Sequence, residues 1–415
     1  MFGLAVLAPS CSSVDRLRLE NFRVESADVP TLISTVIGEP KTFNYLLTQE
    51  SSSSDVLALM YEGLIGVDQT NSEIIPALAE SWVISEDGQT ITYTLKEDLK
   101  WSDGEPLTVD DVVFTYNDLI FNEAIITDTR DVLRIGPEGK LPVVRKLDER
   151  RVEFKIPEPF APFLRVTGIA ILPKHILQET VETVDDNGVP EFMTTWGTDT
   201  DPSEVVGNGP YTIKRFIPGE RIVFERNPYY WEKGPAGEQQ PYIEEVVWPV
   251  VGSQDAQFVR FRSGDADLMD VSPDNFSLIK QDEEQGNYTV YIGGPTPTRL
   301  FMTFNLNQGS VDGVPVVDPV KSAWFSKVEF RQAVAYAIDR STMLNNIFKG
   351  LGEMQNSQIA PQSPYHADSG LPVYDYNLEK AKDLLLSAGF KYEGAQLVDE
   401  SGYRVRFTLQ TNVGN

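Results

Sequence analysis

The stretch from Trp82 to Tyr116, WVISEDGQTITYTLKEDLKWSDGEPLTVDDVVFTY, carries the clearest structural pattern in the chain. Apolar and polar residues alternate on both sides of Asp87-Gly88, which predicts two half-buried antiparallel strands joined by a hairpin turn. Ser102-Asp103-Gly104 predicts a second turn. Thr108 then predicts a helix N-cap, with Asp111 three residues later as in a capping box, and apolar residues follow at helical spacing. The predicted order is hairpin, acidic turn and capped helix.

This stretch resembles the signature region of the extracytoplasmic solute-binding proteins of ABC importers. That family includes the dipeptide-, oligopeptide- and nickel-binding proteins. The likeness covers roughly residues 30 to 415 and continues, in the order of the family, through KHIL (174–177), VGNGPY (206–211), RNPYYW (226–231) and FRQAVAYAID (330–339).

The resemblance implies an α/β fold of the two-lobed, periplasmic-binding-protein-like kind (type II, Venus flytrap) with an extra small α+β domain. Because family members continue well past this length, the C-terminal part of the second lobe is expected to be missing. A strand predicted at 403–409 should then lack its partners. The implied divisions are a signal remnant and tether (1–30), the first lobe in two parts (31–73 and 203–295), an inserted accessory domain (74–202) and an incomplete second lobe (296–415).

Composition indicates a globular chain with an acidic surface. Of the 415 residues, 41% are hydrophobic and 23% are charged, and this length is enough for two or three cores. The formal net charge of -27 disfavours nucleic acid and anionic membrane surfaces as partners, because both would repel the protein. Since no apolar run approaches about 18 residues, we expect a soluble or merely anchored protein.

The only cysteine, Cys11, excludes an internal disulfide framework. It follows a short apolar run, residues 2–10, that ends in small residues. This pattern resembles the end of a bacterial lipoprotein signal, in which the cysteine becomes the lipidated first residue of the mature protein. We predict a lipid anchor at Cys11, against the alternative of a simple buried or disordered cysteine.

A serine-rich segment precedes the first apolar helix and has two compatible interpretations. Its composition favours helix capping within a flexible loop. The resemblance instead implies that this loop offers backbone groups to a ligand at the mouth of the cleft, opposite the first strand of the second lobe. The predicted ligand-binding residues are Thr48, Gln49, Glu50, Ser51, Ser52, Phe304 and Asn305.

Other motifs favour structural roles. The glycines of residues 207–209 suit a crossover between lobes better than a phosphate loop, because no Lys-Thr pair follows them. The aromatic cluster Tyr229-Tyr230-Trp231 could form a stacking platform, but burial tendencies favour core packing. Asn377 predicts the cap of a late helix.

No catalytic, cofactor or metal motif is evident. His175 and His366 are the only histidines, and no GxSxG, HExxH or CxxC pattern accompanies them. We expect His175 to end a helix or pack within a domain, and His366 to lie in a loop. Asp110-Asp111 is explained by the first turn of a helix, where negative charge complements the helix dipole.

The resemblance to the solute-binding family therefore implies a monomeric binding protein that captures a peptide or similar solute outside the cytoplasmic membrane and delivers it to a permease. Its lobes would close over the ligand by a hinge. Two alternatives remain. An acidic secreted hydrolase such as a glycosidase would need two facing carboxylates with separated pKa values. A sensory or scaffolding relative would keep the fold without transport.

Overall fold

The computed structural model describes residues 29–68, 72–292, 299–361, 363, 365–367 and 369–411. Cys11 and nearly all of the predicted tether lie outside these residues. Apart from Ser72, the described residues up to Asp270 form one compact unit, and those from Val271 form a second. This boundary precedes the predicted start of the second lobe at residue 296. Within the described ranges, no helix is both long and apolar enough to cross a membrane.

A five-stranded mixed sheet forms one side of the first unit. Its strand order is β1-β11-β10-β9, and β2 also pairs with β11. β1 and β2 run parallel to β11, whereas β9, β10 and β11 are antiparallel neighbours. β9 and β10 form a hairpin around Pro218-Gly219. The strands are β1 (Thr31–Ile33), β2 (Val36–Ile37), β9 (Tyr211–Ile217), β10 (Arg221–Arg226) and β11 (Glu245–Val251).

The quoted stretch supplies most of one edge strand, β5, and its neighbour β6 in a second, four-stranded antiparallel sheet, of order β5-β6-β8-β7. Trp82 pairs with Tyr93, so the predicted antiparallel hairpin is confirmed. A separate two-stranded sheet precedes it. These strands are β3 (Ile65–Val67), β4 (Ile74–Pro76), β5 (Ala79–Ile84), β6 (Thr90–Leu95), β7 (Val143–Lys146) and β8 (Arg151–Lys155).

The helix predicted after the acidic turn is also confirmed. Thr108 is its N-cap, and both halves of a capping box with Asp111 are present. The helix continues into a π-helical turn at Thr115–Ile120. The α-helices of the first unit are α1 (Ser51–Ala58), α2 (Val109–Phe114), α3 (Phe163–Val166), α4 (Lys174–Glu182) and α5 (Gln254–Ser263). Its 3₁₀ helices are Tyr45–Leu47, Asp128–Leu133, Glu191–Met193 and Pro202–Glu204.

One continuous hydrophobic core joins the two sheets of the first unit. It includes Tyr93 and Phe154 from the four-stranded sheet and Phe224 from the five-stranded sheet, all fully buried. The other face of the larger sheet carries a small separate cluster, Ile33, Val223 and Val247. Because side chains of both sheets bury apolar surface in this one core, the core stabilises the two sheets together.

The second unit is mainly helical around an aromatic core of Trp324, Phe325, Phe330 and Phe390. Asn377 caps its last helix, as predicted. The helices are α6 (Pro273–Gly286), α7 (Pro319–Ser326), α8 (Val328–Ala337), α9 (Arg340–Asn346) and α10 (Leu378–Ser387). Two short hairpins accompany them, formed by β12 (Ser310–Val311) with β13 (Val314–Pro315) and β14 (Lys391–Glu393) with β15 (Gln396–Val398).

Two strands predicted for the second unit do not form. Residues 300–305 and 403–409 are irregular, and their one described bridge joins Val398 to Arg404. Alternating apolar residues at 403–409 predicted a strand, but a strand needs a continuous hydrogen-bonded neighbour. Among the described residues this segment has only a short pairing near Arg404, in which the Asp399 amide donates to Tyr403 O and the Val405 amide donates to Leu397 O.

Candidate functional site

The VGNGPY segment wraps around the backbone that leaves helix α1. The amides of Asn208 and Gly209 donate to Met60 O at 3.0 and 2.7 Å. The Asn208 side chain accepts a hydrogen bond from the Glu62 amide at 2.6 Å. The backbones are so close that a Cβ on Gly209 would lie 2.6 Å from Met60 C. The glycine therefore allows close backbone approach and gives the segment a structural role.

The acidic turn joins this segment to helix α4. Ser102 N donates to Gly207 O at 2.8 Å, and Gly207 N donates to Ser102 Oγ at 3.1 Å. Asp103 Oδ2 lies 2.8 Å from Nε2 of His175. His175 is the second residue of α4, so it begins a helix and does not end one. Its ring centre lies 6.2 Å from that of Trp101, which agrees with the other predicted role, packing within a domain. The KHIL segment (174–177) forms the first turn of α4 and contacts the acidic turn through His175.

Asp111 connects two helix starts. One carboxylate oxygen accepts from the Thr108 amide at 2.8 Å, and the other accepts from the Lys174 amide at 3.0 Å. Burial raises the pKa of Asp111, and these backbone hydrogen bonds oppose the rise. Asp110, by contrast, is exposed and pairs with Lys146 at 2.9 Å. The two adjacent carboxylates thus have different structural roles.

The RNPYYW segment closes over Glu62. Tyr230 Oη and Trp231 Nε1 each donate to the Glu62 carboxylate at 2.6 Å. Burial raises the pKa of Glu62, whereas the two hydrogen bonds lower it. Lys96 Nζ lies 4.0 Å from the centre of the Trp231 ring, which is a favourable cation–π distance. Tyr230 is buried and Trp231 packs on the core, as predicted, but Tyr229 is exposed.

The predicted ligand segment of the first lobe, Thr48–Ser52, spans the end of a 3₁₀ helix and the start of α1. Helix α1 begins at Ser51, with Glu50 at the N-cap position. Thr48 Oγ1 donates to Asn44 O at 3.1 Å, and Ser52 Oγ donates to Glu39 O at 2.8 Å. Gln49 and Ser51 are exposed. The segment is therefore tethered at several points while part of its surface is open to solvent.

The predicted residues of the second lobe differ from each other in environment. The Phe304 ring packs 5.3 Å from Phe325 and 6.0 Å from Phe330, measured between ring centres, so it belongs to the aromatic core. Asn305 is exposed, and its Oδ1 accepts from the Asn307 amide at 3.0 Å. A shallow cavity of about 380 Å³ starts nearby and is lined by residues that include Asn307, Gln308 and Ser322. Ligand contact by Phe304 and Asn305 stays a prediction.

Among the described residues, no three His, Cys, Asp or Glu side chains cluster as metal ligands do. His366 lies in a loop, as predicted, and its Nδ1 is 2.7 Å from Ile359 O.

The sequence patterns did not indicate the buried polar residues Asn44 and Ser53 or the half-buried Glu62. For Asn44 a signal existed, because Asn before an apolar Tyr45–Leu47 turn is typical of a helix cap.

Comparison with known proteins identifies the family. The model of the bacterial extracellular solute-binding proteins, family 5 Middle, matches residues 73–415. A probable ABC transporter-binding protein of Deinococcus radiodurans is 28% identical over 398 residues, which cover 93% of this chain and 64% of that protein. The oligopeptide-binding protein AppA of Bacillus subtilis is 28% identical over 396 residues, or 92% of this chain and 64% of AppA. The chain thus spans somewhat less than two thirds of these relatives.

Solved structures agree on the fold. The structure of Bacillus subtilis AppA in complex with a nonapeptide matches with a TM-score of 0.66 and 24% identity, over 90% of this chain and 67% of that one. The periplasmic binding protein MelB of Agrobacterium fabrum C58, in complex with stachyose, matches with a TM-score of 0.72 and 25% identity, over 90% of this chain and 57% of that one. The predicted α/β class of periplasmic binding proteins is confirmed at this level. Because the family model covers most of its length, the chain belongs to the bacterial extracellular solute-binding proteins, family 5.

Proposed function

We propose that this protein is the extracytoplasmic binding component of an ABC importer, which captures a peptide or similar small solute and delivers it to a membrane permease without catalysing a reaction. The observation that carries the proposal is the match of residues 73–415 to family 5, with relatives that include oligopeptide- and dipeptide-binding proteins. Its acidity, a net charge of -27, fits a role without nucleic acid.

The finer architecture is part of the proposal. The chain would have two lobes of the type II binding-protein kind, with residues 74–202 as an accessory domain inserted in the first lobe. In support, the four-stranded sheet lies wholly within 79–155, whereas the strands of the five-stranded sheet come from 31–37 and 211–251. An insertion that leaves its parent sheet intact produces this arrangement.

Ligand contact is assigned to Thr48, Gln49, Glu50, Ser51 and Ser52, with Phe304 and Asn305. Phe304 would act through its backbone, because its ring is packed against Phe325 and Phe330. An extended peptide can pair with exposed main-chain groups, and this mode binds many sequences because side chains are read only weakly.

The ligand experiment uses the full-length protein. Mass spectrometry of co-purified small molecules is followed by calorimetry with short peptides, an oligosaccharide and a nickel–histidine complex. We expect peptide binding, and a peptide at about 100 times its Kd should raise the free energy of unfolding by about 2.7 kcal/mol. If no solute stabilises the protein and it instead cleaves a glycan or peptide, the hydrolase alternative replaces this proposal.

Anchoring at the outer face of the membrane is assigned to Cys11. In cells fed a clickable fatty acid, the full-length protein should be labelled and sediment with membranes. Cys11→Ser should lose the label and appear in the soluble extracytoplasmic fraction, while ligand affinity is unchanged. Labelling that persists in Cys11→Ser would contradict the assignment. Light scattering of the released form should give the mass of a monomer.

A further inference from the structure

Two fully buried polar side chains, Asn44 and Ser53, flank the Thr48–Ser52 segment. Their chain neighbours Phe43, Leu46 and Val56 are buried apolar residues of the main core. Polar groups are costly at such positions unless they are hydrogen-bonded. The bonds that these two side chains make therefore show what they hold in place.

Asn44 ties the start of the segment to a distant loop. Its Oδ1 accepts from the Leu46 amide at 3.1 Å, which fixes the 3₁₀ turn before Thr48. Its Nδ2 donates to Phe192 O and Thr195 O, each at 3.2 Å. The adjacent Phe43 amide also donates to Trp196 O, at 2.8 Å. This end of the segment is thus fastened to residues 192–196.

Ser53 ties the other end to residues 41 and 42. Its Oγ accepts from the Lys41 amide at 2.8 Å and from the Thr42 amide at 3.3 Å. The same hydroxyl donates to the Glu50 carboxylate, which also accepts from the Lys41 amide at 3.2 Å. The first turn of α1 is therefore fastened to the chain that enters the segment.

We infer that Asn44 and Ser53 are positioning residues for ligand binding, which hold Thr48–Ser52 in its binding conformation before a ligand arrives. This inference rests on the proposed function. Neither side chain needs to touch the ligand, because both are fully buried. A segment that is already ordered loses less conformational entropy when the ligand binds. This smaller loss increases the affinity.

The test compares Asn44→Ala and Ser53→Ala with the matched control Asn227→Ala. Asn227 is also fully buried, and its side chain bonds Gly209 O and the Tyr229 amide, each at 2.9 Å, without contacting residues 48–52. All variants of the full-length protein are studied at a temperature at which circular dichroism shows them folded. The two readouts are hydrogen exchange of residues 41–54 and calorimetric affinity for tetra-alanine.

We expect faster exchange within 41–54 and about tenfold weaker binding for Asn44→Ala, with a smaller loss for Ser53→Ala, whereas Asn227→Ala changes neither. If Asn44→Ala does not fold, the comparison of Ser53→Ala with Asn227→Ala tests the inference. Exchange and affinity that match those of Asn227→Ala would overturn the inference. If the wild-type protein binds no peptide, the peptide proposal fails on its own, and the exchange result still decides whether these side chains fix the segment.

Discussion

Replacing Gly209 with alanine is expected to lower the free energy of unfolding by about 3 kcal/mol or more. The new Cβ would lie 2.6 Å from Met60 C and 2.8 Å from both Leu59 O and Tyr61 N. All three are backbone atoms, so relief requires the two chains to separate. Separation would also weaken the hydrogen bonds that the Asn208 and Gly209 amides donate to Met60 O.

Gly252→Ala is the matched control, because no heavy atom lies within 4 Å of the position that its new Cβ would take, and its φ is outside the left-handed region. This change should leave stability within about 0.5 kcal/mol, or raise it slightly by restricting the unfolded chain. Urea denaturation, monitored by tryptophan fluorescence, measures the unfolding free energy of both variants. Equal urea midpoints for Gly209→Ala and Gly252→Ala would show that the backbone at Met60 can move away from the new Cβ at little cost.

Local patterns in the sequence predicted local structure well. The alternation around Asp87-Gly88 and the cap at Thr108 involve neighbours in the chain, so residue type alone specifies them. The strand predicted at 403–409 is wrong because a strand depends on a partner that periodicity does not reveal. Likewise, the pairing of Asn208 with Glu62 spans 146 residues and has no sequence pattern of its own.

The candidate site depended on the resemblance more than on residue chemistry. Serine-rich composition at 51–54 predicted a cap, yet Glu50 holds the N-cap position and Ser53 is buried. Four adjacent serines look alike in sequence, and only the fold separates the one that faces the core from those that face solvent. Burial, and not residue type, therefore separates the serine that packs in the core from those proposed to contact the ligand.

Replacing the buried Asp111 with alanine is expected to cost about 3 kcal/mol of unfolding free energy, because the part-buried amides of Thr108 and Lys174 would lose their charged acceptor. Asp110→Ala is the control one residue away. It removes the exposed ion pair with Lys146 and one negative charge from the first turn of the helix, so a loss of about 1 kcal/mol or less is expected. Urea unfolding at pH 7 should separate the two variants clearly. Similar losses of unfolding free energy in the two variants would mean that the amides of Thr108 and Lys174 bond to water or to other acceptors when Asp111 is removed.

The difference in unfolding free energy between wild type and Asp111→Ala should depend on pH, and this dependence tests whether burial raises the pKa of Asp111. Burial raises the folded-state pKa of Asp111 above its usual 3.8, so the folded state binds more protons than the unfolded state between these two values. Stability from Asp111 is then fully present below pH 3.8 and decreases as pH rises through the raised folded-state pKa. The stability difference between wild type and Asp111→Ala should therefore shrink from acid toward neutral pH and stay positive, because the ionised carboxylate still accepts both amides. A difference that grows with pH would mean that hydrogen bonding to the carboxylate outweighs its desolvation, and the pKa of Asp111 would then be lowered.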